Sequence, residues 1–133
     1  MKQTRAEAAR WLAQAESDLA FAEVGLREAF FAQTCFICQQ ASEKALKALL
    51  YLRGERVVLG HSLVQLLAAL LSEHPRLGEL REAAQQLDQY YIPTRYPNGL
   101  PGGIPAEVFT RGQAEGAVRF ARDVIARAGA IIG

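Results

Sequence analysis

The chain has 133 residues, half of them hydrophobic and 22% charged, which is globular composition at a size that buries a core without disulfides or metal. Fifteen Lys and Arg stand against fourteen Asp and Glu, and a net charge of +1 excludes a global field steering the molecule to nucleic acid or an anionic membrane. Any anion site must therefore be local. The N-terminal MKQTRAEAARW has no apolar signal segment, and no stretch approaches the roughly 18 uncharged apolar residues of a membrane span. The expectation is one soluble cytoplasmic domain over residues 1–133.

Ala8, Trp11, Leu12, Ala15, Leu19, Ala22, Leu26 and Ala29 recur at three- and four-residue spacing and predict one long amphipathic helix, opened by a capping box at Thr4 and Glu7. A second helix is predicted from near Ala32 to Arg53, with Gly54 as the left-handed residue that ends it. The two form a hairpin roughly 30 to 40 Å long at 1.5 Å per residue. With the turn near Phe30 and Phe31, Asp18 lies about twelve residues before it and Lys44 about thirteen after, so the two stand level and can pair. Cys35 and Cys38 form a lone CxxC in this second helix; without a second pair or a flanking strand they read as reduced core cysteines.

Ser62 with Gln65 repeats the capping-box pattern and opens a short third helix whose Leu63, Leu66, Leu67, Leu70 and Leu71 face a core, until Pro75 breaks it. A fourth helix is predicted from about Arg76 to Tyr91 on Leu77, Leu80, Ala84, Leu87 and Tyr91, with Pro93 opposing its continuation by restricting Ile92. Thr110 with Gln113 caps a fifth, which carries Ala114, Ala117, Val118, Ala121, Val124, Ile125 and Ala128. Between these two, Pro93 to Phe109 holds four prolines and three glycines. It reads as an irregular loop, beyond the about 12 to 15 residues at which unstructured connections become functional or disordered. Its Tyr96 and Phe109 predict partial docking. No alternating strand pattern competes, so the fold class is all-α, an up-and-down bundle of four to five helices.

Three groupings can carry chemistry. Phe36, Gln40, Lys44 or Glu43, Lys47 and Tyr51 fall on one stripe of helix two, either as a solvated face stiffened by a Glu43–Lys47 pair or as a wall whose amide and ammonium groups bind a phosphate or a base edge. His61 adjoins the cap of helix three, where backbone N–H groups favour an anion; acting as an acid or base it needs a partner, and the neighbouring Arg56 cannot serve as one. Arg95-Tyr96-Pro97 sets a planar donor fork beside a stacking ring, suited to nucleotide or carboxylate recognition, or else ties the loop to Asp88 or a helix end while Tyr96 fills the core.

Ser17-Asp18-Leu19 and Ala22, the run Phe36 through CQQASEKALKALL, Gly54, His61-Ser62-Leu63, Arg95-Tyr96-Pro97 and the closing alanine-rich helix together resemble the HEPN domain, the nucleotide-binding family of higher eukaryotes and prokaryotes. The resemblance covers nearly the whole chain. It implies a bundle similar to the C-terminal domain of kanamycin nucleotidyltransferase, commonly dimeric. Small stand-alone members partner a separate minimal nucleotidyltransferase, in pairs of toxin–antitoxin type, and some are ribonuclease toxins acting through an Arg-x(4–6)-His motif. This chain has neither the Gly-Ser pair nor the spaced aspartates of a nucleotidyltransferase, which makes it the accessory subunit on this reading.

The site residues expected on that reading are Asp18, Gln40, Lys44, Lys47, His61, Arg95 and Tyr96, binding a nucleotide without metal or cofactor. Asp18 orients Lys44, while Arg95 and Tyr96 fold over the groove. The alternative is a metal-independent ribonuclease using Arg56 and His61, which satisfy the Arg-x4-His spacing and would bring RNA as the partner. About half a match to that spacing is expected by chance in a chain of this composition, and this one bridges helices two and three where the family's motif lies late in the chain. A second alternative is a purely scaffolding interaction bundle. Self-association is expected because Ala41, Ala45, Ala48, Cys38, Leu46, Leu49, Leu50 and Leu52 make helix two apolar on more than one stripe.

Overall fold

The predicted hairpin opens the chain. In a computed structural model, which describes residues 2–133, α1 spans Lys2–Arg27 and α2 spans Phe31–Leu52, about 39 and 33 Å long. Thr4 lies inside α1, so the Thr4–Glu7 box is not its cap; the Glu7 carboxylate instead accepts from Trp11 Nε1 at 3.2 Å and from Arg10 at 2.9 Å. The hairpin turn closes α1 with Phe30 N–H donating to the Gly25 carbonyl and Ala29 N–H to that of Leu26. This geometry puts Ala29 at φ 65°, in the left-handed region and outside the helix where the periodicity had placed it. At the other end of α2 the same pair of bonds recurs, Glu55 to Leu50 and Gly54 to Tyr51, with Gly54 at φ 112° as predicted.

Small side chains set how closely the helices approach. Ala8, Ala15 and Ala22 of α1 are fully buried one heptad apart, while Trp11, Leu12, Leu19 and Leu26 flank them half-buried. Near the turn, Gly25 passes so close to Thr34 that a Cβ would stand 2.6 Å from its Oγ1. Cys35 and Cys38 are free and buried in the core, as expected; burial raises the Cys35 thiol to about 12 and that of Cys38 further.

The remaining helices are α3 (Leu63–Ala68), α4 (Arg81–Asp88), α5 (Pro105–Val108) and α6 (Arg111–Ile132), and no strand occurs among the described residues. The last carries the full Thr110–Gln113 capping box and buries every core position predicted for it. The fourth predicted helix is shorter than expected: Pro75–Leu80 winds as 3₁₀, α4 ends at Asp88, and Tyr90 rather than Tyr91 enters the core. The 93–109 loop is not wholly irregular either, holding a 3₁₀ turn at Pro97–Gly99 and the single turn of α5, whose following residue Phe109 docks edge-on against Tyr90.

Helix α2 is central, touching α1, α3, α4, α5 and α6. This accounts for its two apolar stripes without a second molecule: Cys38, Ala41, Ala45, Leu46, Ala48, Leu49 and Leu50 are all buried within the chain. The composition of α2 is therefore no ground for self-association.

Candidate functional site

The polar residues of α2 divide between two neighbouring faces. On the first, Lys44 Nζ donates to Asp18 Oδ2 at 2.5 Å, the cross-hairpin pair predicted from the residue count, and Gln14 Nε2 donates to Asp18 Oδ1 at 2.9 Å. Lys44 lines an open groove with Glu7, Arg10, Trp11, Ala13 and Gln14.

The second face holds a connected cluster. Glu43 and Lys47, one helical turn apart, pair at 3.1 Å with side chains only 8% exposed. Taking both charges out of water is costly, so Glu43 must be well partnered, and it is. Its Oε1 lies 3.1 Å from Nδ1 of His61, and Gln39 Nε2 approaches the same oxygen at 3.4 Å while donating to the His61 carbonyl at 2.9 Å. Gln40 then donates to Gln39 Oε1 at 2.7 Å. A carboxylate only accepts, so Nδ1 of His61 is the donor in this contact and Nε2 is left uncommitted by it. His61 remains 55% exposed at its side chain.

Aromatic stacking extends the cluster into the loop. The His61 ring stacks on Tyr91 at 4.7 Å, and the Arg95 guanidinium lies 4.6 Å from the centroids of both Tyr91 and Phe36 and 5.1 Å from that of Tyr96. Arg95 Nε donates to the Tyr91 carbonyl at 2.8 Å, and neither Nη has a protein partner among the described residues. Tyr96 is 49% exposed, so it covers Arg95 and does not fill the core.

Asp88 fixes the approach to His61. Its carboxylate accepts from Ser62 Oγ at 2.9 Å and from the N–H groups of Leu63 at 2.6 Å and Val64 at 3.2 Å, while Ser62 Oγ accepts from Gln65 N–H at 3.2 Å. The α3 N-terminus, expected from sequence to favour a ligand anion, is thus already occupied by the protein's own carboxylate.

Of the predicted residues, Gln40, Lys47, His61, Arg95 and Tyr96 come together through Gln39, Glu43 and Tyr91, whereas Asp18 and Lys44 form their own pair on the adjoining face. Arg56 stands exposed on the α2–α3 connection and has neither hydrogen bond nor ion pair to His61. The residues missed as site members are Gln39, Asp88 and Tyr91, together with the role of Glu43. The i,i+4 spacing of Gln39, Glu43 and Lys47 was the one available signal. Among the described residues no three His, Cys, Asp or Glu side chains gather to hold a metal.

With this bundle and site in view, comparison with known proteins gives the family. The HEPN domain model matches residues 8–131, and the chain belongs to the HEPN family. The crystal structure of TT1696 from Thermus thermophilus is 43% identical, with TM-score 0.88 over 92% of this chain and 96% of that one. An archaeal HEPN homologue is 31% identical, with TM-score 0.79 over 96% and 98% of the two chains. A HEPN domain protein of Thermotoga maritima is 30% identical, with TM-score 0.74 over 92% and 96%. A search of curated proteins gives no match.

Proposed function

We propose that the His61–Arg95 cluster is a nucleotide site, and that this chain is the nucleotide-binding accessory subunit of a separate minimal nucleotidyltransferase, in a pair of toxin–antitoxin type. The observation carrying this reading is Arg95: a guanidinium packed by three rings and fixed through Nε, with both Nη groups unpaired, beside the Glu43–His61 contact. Such a fork suits phosphate oxygens. Because Lys44 is engaged by Asp18 on the adjoining face, Arg95 carries the larger share of binding. In calorimetry against nucleoside triphosphates, K44A/R95A abolishes binding and R95A alone removes most of it, with helical circular dichroism unchanged. Absence of any heat with the wild type at millimolar nucleotide defeats the nucleotide reading, and co-purification from the native host without a nucleotidyltransferase defeats the partnership.

One contact favours a second reading, a metal-independent endoribonuclease. Glu43 orients His61 and leaves Nε2 available for proton transfer, supplying the partner that Arg56 cannot be. On this reading Arg95, which packs on the same Tyr91 ring as His61, fits the role of phosphate-stabilising cation better than Arg56. Overexpression of the wild type then inhibits growth and His61→Ala relieves it; a harmless wild type that leaves RNA intact removes this reading.

For self-association, the supporting surface is the hairpin end, where exposed Phe21, Val24 and Phe30 border an apolar cleft of about 300 Å³ with Gln33 and Ile37. Light scattering of a homodimer that Phe21→Arg converts to monomer fits this assignment; a wild-type monomer at micromolar concentration contradicts it.

A further inference from the structure

We propose that the Arg95 site reads the phosphates of its ligand and not the base; this rests on the nucleotide reading above and says which part of the ligand carries the affinity. Five flat groups meet in the cluster: His61 stacks on Tyr91, Phe36 lies tilted against Tyr91, and the guanidinium of Arg95 sits over the rings of Phe36, Tyr91 and Tyr96. Faces in mutual contact are closed to a base. The half-exposed rings of Tyr96 and His61 are what remain, and stacking there is base-tolerant because every base has a π-face.

The groups able to read a base edge are also engaged internally. Gln39 donates to the His61 carbonyl and accepts from Gln40, and the two oxygens of Glu43 are held by Lys47 and His61. Left over are the carbonyl and second N–H of the Gln40 amide and Nε2 of His61, so few edge-reading groups stay open beside the fork of Arg95.

The in-plane edge of Arg95 is the opposite case. Held by its faces and by Nε, the guanidinium offers its unpaired N–H groups in a fixed fork, the geometry that takes two oxygens of one phosphate. Lys47 joins the same cluster through Glu43 and spends on that carboxylate one of the three N–H bonds of its ammonium group. Positive charge and an open donor fork coincide with phosphate chemistry, while Gln39 and Glu43 are engaged internally.

The test is isothermal titration calorimetry of the full chain with ATP, GTP, CTP, UTP, sodium tripolyphosphate, adenosine and a hydroxyl-ended oligoribonucleotide. The expected result is four triphosphates within about threefold of one another, tripolyphosphate alongside them and no heat from adenosine. Arg95→Lys keeps the charge but loses the fork, and it weakens tripolyphosphate at least about tenfold with unchanged circular dichroism. A preference among bases above about tenfold, or adenosine binding where tripolyphosphate does not, overturns the proposal and leaves the nucleotide reading standing. Binding of the oligoribonucleotide without tripolyphosphate likewise overturns it, as does tripolyphosphate binding unchanged in R95K and R95A. Silence from all four triphosphates and tripolyphosphate sinks the nucleotide reading as well.

Discussion

Removing Glu43 isolates a buried charge, and its consequence can be worked from the geometry. Glu43 and Lys47 are 8% exposed at their side chains and 3.1 Å apart, and among the described residues the Lys47 ammonium pairs with Glu43 alone. Truncating one member of a buried pair costs about 3 to 5 kcal/mol, because the other is left uncompensated. Glu43→Ala falls in this range. Lys47→Met costs less, about 1 to 2 kcal/mol, because Glu43 keeps His61 and Gln39 as partners. Replacing both with apolar residues, E43L/K47M, returns stability to within about 1 kcal/mol of the wild type, since desolvation of two charges roughly offsets their attraction. For 133 residues the unfolding entropy is about 0.28 kcal/mol/K, so E43A lowers Tm by about 11 to 18 °C. Urea unfolding followed by circular dichroism supplies the free energies and calorimetry the Tm. Equal losses in E43A and K47M, or a double variant worse than either single, refute the reasoning.

Other expectations follow from single contacts. Asp88→Ala strips three hydrogen bonds from the start of α3 and costs about 2 to 3 kcal/mol in urea unfolding, with Asp88→Asn intermediate; a loss under about 0.5 kcal/mol contradicts the cap. Ala29→Gly relieves a left-handed alanine and stabilises by about 0.5 to 1 kcal/mol after the entropy of glycine is counted, read as a Tm rise of about 2 to 4 °C. Burial raises Cys35 from an ordinary 9.0 to about 12, and it raises Cys38 and Tyr90 as well. The folded chain keeps these protons where the unfolded chain releases them, so their contribution is intact below about pH 9 and lost as pH climbs toward 12. Urea titrations from pH 8 to 11 should show stability falling, less steeply in C35A/C38A; equal slopes would remove the thiols as the cause.

Much of the bundle was legible because helices are local. Apolar spacing, Gly54 and the Thr110–Gln113 box each act within a few residues, and each recurs in the structure where the sequence places it. The errors arose where a local preference met tertiary packing. Ala29 fits the period of α1, yet the hairpin needs it in the turn; Tyr91 fits the period of α4, yet that helix ends at Asp88 and the core takes Tyr90.

By itself the sequence determined the all-α class, the hairpin register that sets Lys44 opposite Asp18, and the inventory of polar groups available to a site. Those follow from helical periodicity and residue counting, which need no knowledge of what lies across the fold. Only the tertiary structure decided that Glu43 belongs to His61, that Asp88 occupies the α3 N-terminus, and that Arg95 is caged with its outer edge open. The Glu43–His61, Asp88–Leu63 and Arg95–Phe36 contacts join residues 18 to 59 positions apart, and their cost in chain entropy is met only when the whole core has closed around α2.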